Sequence, residues 1–224
     1  MANRHAESGS RLPGLWWQAG VNYPRNIPPE TVSYLDSLRR DIEFSTLLRG
    51  EALRFRTTWG LFSPKAVDEG SRLLLDYVEI RQGDHSLDLG CGYGPLGLTL
   101  ARLAPQGNHM LVDKDFVAVE YTRKNAKLNN IDNVDILLSN GFNQIEDRPF
   151  DVIVSNLPAK TGKELYYLYF YDALTRLRPG GRIYVVTITG LRRFIQRAFL
   201  EVFGNYDKLK QGSRYTVAAA TFGG

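Results

Sequence analysis

The chain has 224 residues, 43% apolar and 23% charged, the composition of a folded domain with a sizeable core. No run reaches the roughly 18 apolar residues of a membrane span, and Arg4, Glu7 and Arg11 interrupt any secretory signal, so a cytoplasmic protein with no membrane partner is expected. A single cysteine, Cys91, excludes an intramolecular disulfide and a thiolate zinc cluster, and His5, His85 and His109 lack metal-ligand spacing, so no metal is expected.

Residues 1–29 hold Pro13, Pro24, Pro28 and Pro29 with several glycines, and Trp16, Trp17 and Tyr23 among them. This is the make-up of an extended or disordered segment whose aromatic pair suggests docking. From Pro29 to Leu48 the spacing of Val32, Leu35, Leu38, Ile42 and the pair Leu47-Leu48 predicts one helix, ended by Gly50. Residues 1–50 thus read as an N-terminal extension, an extended segment plus one helix, and 51–224 as the main domain. Glu51 to Thr57 alternates like a strand, and the turn from Trp59 to Pro64 leads into an amphipathic helix with Val67, Leu74, Leu75 and Val78 on one face.

Thereafter strand and helix alternate. Strands are predicted at 85–89, 108–112, 134–138, 151–155 and 182–188, with helices at 95–104, 116–128, 163–177 and 191–203 between and after them. Two final strands, 206–210 and 215–221, have no helix between them and should pair antiparallel. This pattern predicts an α/β fold: a mostly parallel seven-stranded sheet with an antiparallel last strand, helices on both faces, and a ligand crevice at the strands' carboxyl ends. The net charge of +4 falls wholly after residue 80. Arg178, Arg182, Arg192, Arg193, Arg197, Lys208, Lys210 and Arg214 face only Glu201 and Asp207 between residues 178 and 214. Such a patch fits a phosphate backbone, and equally an ordinary solvated helix face.

The segment Leu87-Asp88-Leu89-Gly90-Cys91-Gly92-Tyr93-Gly94-Pro95-Leu96-Gly97 runs from an apolar strand into a glycine turn and a helix start. Glycines let a ligand approach the main chain, and the helix's free N–H groups face it. Gly92-x-Gly94-x-x-Gly97 also satisfies a dinucleotide fingerprint, a weak signal by itself. Asp88 inside the strand suits an ammonium group, and Asp113, at the end of the next strand beside Lys114, can accept two ribose hydroxyls. Together these resemble the S-adenosylmethionine site of Rossmann-like methyltransferases.

A second constellation follows the strand Val152-Ile153-Val154. Ser155-Asn156-Leu157-Pro158-Ala159 resembles the Asn-Pro-Pro-aromatic motif of enzymes that methylate an amino nitrogen conjugated to a π system. Its lone pair is delocalised, so both N–H bonds must be held as the nitrogen becomes tetrahedral. In the resemblance, the Asn156 side-chain oxygen and the Leu157 carbonyl hold them while Pro158 stiffens the turn. Ala159 replaces the aromatic residue that stacks on a target base, leaving Phe62, Trp59 or Phe142 for that role, or a substrate that is not a base.

Residues 53–224 resemble the small-domain methyltransferases that include ribosomal RNA small subunit methyltransferase C. The resemblance is carried by Trp59-Gly60-Leu61-Phe62-Ser63, Asp68-Glu69-Gly70-Ser71, the glycine turn, Asn125-Ala126-Lys127-Leu128-Asn129 and Asn156 to Glu164. It implies S-adenosylmethionine as cofactor, Phe62 and Ser63 at its methionine end, Asn140 with Gly141 at the adenine, and Gly90, Cys91, Gly92, Gly94 and Asn156 around it. Ribosomal RNA is the implied substrate, with a guanine-N2 acceptor; Lys160 and Lys163, just past the motif, fit a phosphate and equally an ordinary solvated helix start. Protein glutamine, DNA adenine or a small molecule as acceptor, an NAD-dependent oxidoreductase, an inactive binding module, and a homodimer all stay open.

Overall fold

The computed structural model describes residues 21, 23, 24 and 26–223. Trp16 and Trp17 lie outside the described residues. Two compact units divide between Asp41 and Ile42. In the first, α1 (Pro29–Leu38) opens on a proline, whose missing N–H is an orphan at that position anyway. The Arg39 amide then closes it by donating to the Asp36 carbonyl at 3.2 Å.

The second unit opens on a hairpin, which corrects the helix expected as far as Leu48. Strand β1 (Ile42–Leu48) pairs antiparallel with β2 (Glu51–Thr57), Leu48 opposite Glu51. Arg49 and Gly50 between them both have positive φ, 50° and 86°, the signature of the mirror-image turn that matches strand twist. Ile42, Phe44, Thr46 and Leu48 turn inward while Glu43, Ser45 and Leu47 stay exposed. Pairing with β2 overrides the helical spacing of Leu35, Leu38 and Ile42.

Next come α2 (Glu69–Tyr77), β3 (Ser86–Leu89), α3 (Pro95–Leu103), β4 (His109–Asp113), α4 (Phe116–Leu128), β5 (Val134–Leu138) and β6 (Phe150–Asn156). They are followed by α5 (Lys163–Arg176), β7 (Leu177–Ile188), α6 (Arg192–Phe203), β8 (Asp207–Gln211) and β9 (Tyr215–Thr221). The seven later strands form one sheet in the order β5-β4-β3-β6-β7-β9-β8. Its pairings are parallel except those of β9, which runs antiparallel between β7 and β8. Neighbouring residues in the central strands bury opposite faces. Leu111, Val154 and Val186 pack under α2, α3 and α4, whereas Val112, Ile153 and Val185 pack under α5 and α6. Strands covered on both faces read as continuous apolar runs, and these do.

Asn125 and Asn129, one turn apart on α4, reach the main chain of β2. The Arg56 amide donates to Asn125 Oδ1 at 2.7 Å, and Asn125 Nδ2 donates to the Arg56 carbonyl at 3.0 Å. Asn129 repeats the pair on Arg54 at 2.9 and 2.7 Å. Asn125 Nδ2 also donates to the Tyr93 carbonyl at 2.9 Å, linking the hairpin to the glycine turn.

Candidate active site

The reversal of strand order beside β3 opens a crevice at the carboxyl ends of β3, β4 and β6, where doubly wound sheets bind ligands. A cavity of about 420 Å³ fills it. Gly90, Gly92, Gly141, Asp113 and Lys114 line it together with Asn156, Leu157, Pro158 and Ala159, so the glycine turn and the Asn156 motif share one site.

The turn is held open by side chains. Gly94 sits at φ 97° as the residue before α3, a conformation a side chain would strain. At Gly97 a Cβ would fall 2.4 Å from Leu111, so α3 can approach the sheet only there without a side chain. Asp88 accepts the Gly97 amide at 2.8 Å on Oδ2. Its other oxygen, fully buried, has no partner among the described residues. Burial, offset by the Gly97 bond and reinforced by Asp113, lifts the Asp88 carboxyl to about 7. Asp88 thus stands behind the turn rather than on the cavity wall, and its free oxygen is an acceptor for an ammonium group or a bridging water. Asp113 takes the Gly92 amide at 2.9 Å on one oxygen and the Asp115 amide at 2.9 Å on the other. Each oxygen keeps a lone pair, which fits the two hydroxyls of a ribose.

Several expected residues are placed differently. Asn140 is exposed and does not line the cavity, which is lined by its neighbours Ser139 and Gly141. The ring over Gly141 is Tyr169 of α5, close enough that a Cβ on Gly141 would lie 2.9 Å from it. Tyr169 is half-buried, and burial followed by the charge of Asp113 pushes its hydroxyl up. Spacing offered no reason to separate it from the other tyrosines of α5. Of the three candidate stacking rings, Phe142 is buried in the core beneath α5 and cannot reach a substrate. Trp59 lies off the cavity with the Lys65 ammonium 5.0 Å from its ring. Phe62 remains, 67% exposed at the rim. Ser63 next to it has φ 48°, and its carbonyl and that of Ala66 accept the Tyr93 hydroxyl at 3.3 and 3.2 Å. Lys160 is exposed and stands outside the cavity.

Asn156 is oriented by a network that spacing does not reveal. Its Nδ2 donates to Asp68 Oδ2 at 2.9 Å and to Ser71 Oγ at 3.0 Å. Asp68 is also the N-cap of α2, accepting the Ser71 amide at 3.1 Å, and its second oxygen takes the Tyr215 hydroxyl of β9 at 3.1 Å. A Cβ on Gly70 would meet Asp68 Oδ2 at 2.8 Å and the Tyr215 ring at 3.0 Å, so the Asp68-Glu69-Gly70-Ser71 run is built around this contact. A carboxylate only accepts, so the amide nitrogen must face Asp68 and the amide oxygen must face away from it. Leu157 buries its side chain, and its amide continues the pairing to the Val186 carbonyl at 3.0 Å. The Pro158 carbonyl is fixed by the Tyr166 hydroxyl.

This strand order, glycine turn and paired carboxylates define a Rossmann-like methyltransferase domain. Residues 52–219 match the family model described as methyltransferase small domain, and the chain belongs to that family. Among its relatives is the uncharacterized protein YbxB of Bacillus subtilis, 36% identical over 64% of this chain and 72% of that protein. Ribosomal RNA small subunit methyltransferase C of Hamiltonella defensa is 34% identical over 75% of this chain and 50% of its own length. Among solved structures, a 16S rRNA N2 G1207 methyltransferase of T. thermophilus, in complex with AdoMet and guanosine, superposes with a TM-score of 0.74. It is 30% identical, and the match covers 81% of this chain and 50% of that one. The chain therefore spans about half the length of these ribosomal RNA methyltransferases. Among the described residues no group of metal-binding side chains occurs, and no helix is long and apolar enough to cross a membrane.

Proposed function

We propose that the chain is an S-adenosylmethionine-dependent N-methyltransferase acting on the exocyclic amino group of a guanine in ribosomal RNA. The observation that carries this reading is Asn156, whose Nδ2 is committed to Asp68 and Ser71 while the residue lines the same cavity as the glycine turn. Family membership and the relative that holds both AdoMet and guanosine support the same cofactor and acceptor.

In this reading Asp113 would receive the ribose hydroxyls, Gly141 and Tyr169 would flank the adenine, and Asp88, behind the turn, would reach the ammonium through a bridging water. When bound, the cofactor supplies a methyl already activated as a sulfonium, so no strong base is required. The protein's contribution is alignment. Phe62 stacks on the guanine, while Asn156 Oδ1 and the Leu157 carbonyl accept its two amino hydrogens and hold the lone pair in line with the methyl. With Asn156 Oδ1 and the Leu157 carbonyl accepting the amino hydrogens, these residues would hold the amino group until one of its protons is lost to solvent. Action on ribosomal RNA would place the chain in the cytoplasm.

Transfer of tritiated methyl from S-adenosylmethionine into fractionated RNA and protein from a strain lacking this chain tests the reading. N2-methylguanosine in digested ribosomal RNA is the expected product. Label confined to protein, DNA or another nucleoside would overturn it.

A further inference from the structure

Of the cations between residues 178 and 214, Arg192 hydrogen-bonds Gln211, Lys208 and Lys210 stand exposed on β8, and the remaining five divide by their pairing. Arg178 pairs with Asp151 at 2.8 Å, Arg182 with Glu79 and Asp207 at 3.2 and 3.0 Å, and Arg214 with Glu69. These are neutralised. Arg193 and Arg197, exposed one turn apart on α6, make no ion pair among the described residues, and neither does Lys163 at the start of α5. Those three stand around one strip of surface. Lys163 lies 5.7 Å from the Phe194 ring, and Tyr167 meets the same ring edge-on at 5.7 Å. Tyr167 and Tyr171 stack at 6.5 Å and 25°. Arg197 is near enough to act on the Tyr167 hydroxyl, which donates to Glu201 at 2.8 Å.

Lys163, Tyr167 and Tyr171 follow at every fourth position, so they share one face of α5 over about 12 Å. Lys163, the first residue of the strip, follows the Asn156 turn by a few residues, while the cavity-lining Leu165 and Tyr169 lie on the opposite side of α5. The strip also leaves apolar surface in water, with Leu168, Tyr171 and Leu200 at 61%, 47% and 49% exposure. Stacked rings with unpaired cations beside them, leading away from a nucleotide-sized cavity, are the parts of a single-strand platform: π faces for bases and charges for the backbone.

We infer that the α5–α6 face is a binding track for single-stranded RNA flanking the target nucleotide, with Tyr171 stacking a base and Arg193 and Arg197 holding phosphates. This rests on the RNA reading above, and binding can be measured without turnover. Fluorescence polarisation of the full chain with a labelled, guanosine-containing single-stranded oligoribonucleotide is the assay. Tyr171→Ala should weaken binding roughly 10-fold. Arg193→Gln with Arg197→Gln should weaken it further and lower the salt slope by about 0.7 for each phosphate no longer held. Neither change should alter S-adenosylmethionine affinity in calorimetry or the mass in sedimentation. Wild-type affinity and salt slope in these variants would overturn the track. So would a loss of self-association, which would make the face an interface between copies. If wild-type chain binds the oligoribonucleotide through these residues but transfers no methyl to ribosomal RNA, the track stands and the proposed activity fails.

Discussion

The carboxylate of Asp68, capping α2, accepts the Asn156 side-chain amide at 2.9 Å across 88 residues of sequence. An Asn side chain has nearly equivalent ends, and this hydrogen bond decides which end meets the substrate. Asp68→Ala should lower kcat about 10- to 100-fold while leaving cofactor affinity unchanged, with about 1 kcal/mol of stability lost from the missing cap. Asp68→Asn, itself a good cap, should restore the stability. In Asn156→Ala, expected to lose about 10²–10³-fold in kcat, adding Asp68→Ala should cost no further kcat. Additive losses would show that Asp68 acts by another route.

Asp88 links stability to pH. Its folded pKa is raised to about 7 by burial, so its contribution is fully present below the ordinary carboxylate range and is lost as pH rises through 7. Asp88→Asn should stabilise the cofactor-free chain at pH 8 by roughly 1–3 kcal/mol and flatten the decline of Tm as pH rises from the ordinary carboxylate range to about 7. His109, whose pKa burial lowers, works in the opposite direction below its ordinary value near 6.5, because only the unfolded chain then takes up its proton. The two effects oppose each other over the same acidic range, and comparing Asp88→Asn with the unsubstituted chain in a thermal-melt series separates them.

Phe62 is assigned the stacking role that Ala159 leaves vacant. Phe62→Ala should raise the KM for RNA about 10-fold, and Ala159→Phe in that background should recover part of the loss. An unchanged KM in Phe62→Ala would remove the ring from substrate binding.

Asn125 makes three hydrogen bonds with β2 and the Tyr93 carbonyl, and is fully buried. Asn125→Ala leaves those main-chain groups unpaired and should cost about 2–4 kcal/mol. Hydrogen exchange should quicken first at residues 42–57.

From β3 onward most of the chain was legible because the central strands are short apolar runs and each helix has its own cap or glycine; α4, with Asp115 accepting the Val117 amide, falls at the expected residues, whereas β7 reaches back to Leu177 through Arg178-Pro179-Gly180-Gly181. The stretch before it was not, since Ile42 and Leu47-Leu48 suit a helix as well as a hairpin, and only the Arg49-Gly50 turn distinguishes them. Within the site, contiguous signals were readable: the glycine turn and Asn156 both follow strands directly. The roles of Asp68, Tyr169 and Tyr215 were not, because they depend on α2, α5 and β9 converging on one crevice. The Asn125…Asn129 run was visible as a pattern, but its purpose required a strand lying across the helix.

That pairing has a further consequence. The free side of β2 would offer the N–H and C=O of Arg54 and Arg56 as a template for a foreign strand. Two side-chain amides of α4 already occupy those four groups. At those two residues the helix thus closes the edge of the small sheet as a strand would, leaving their rungs unavailable for another chain to aggregate upon.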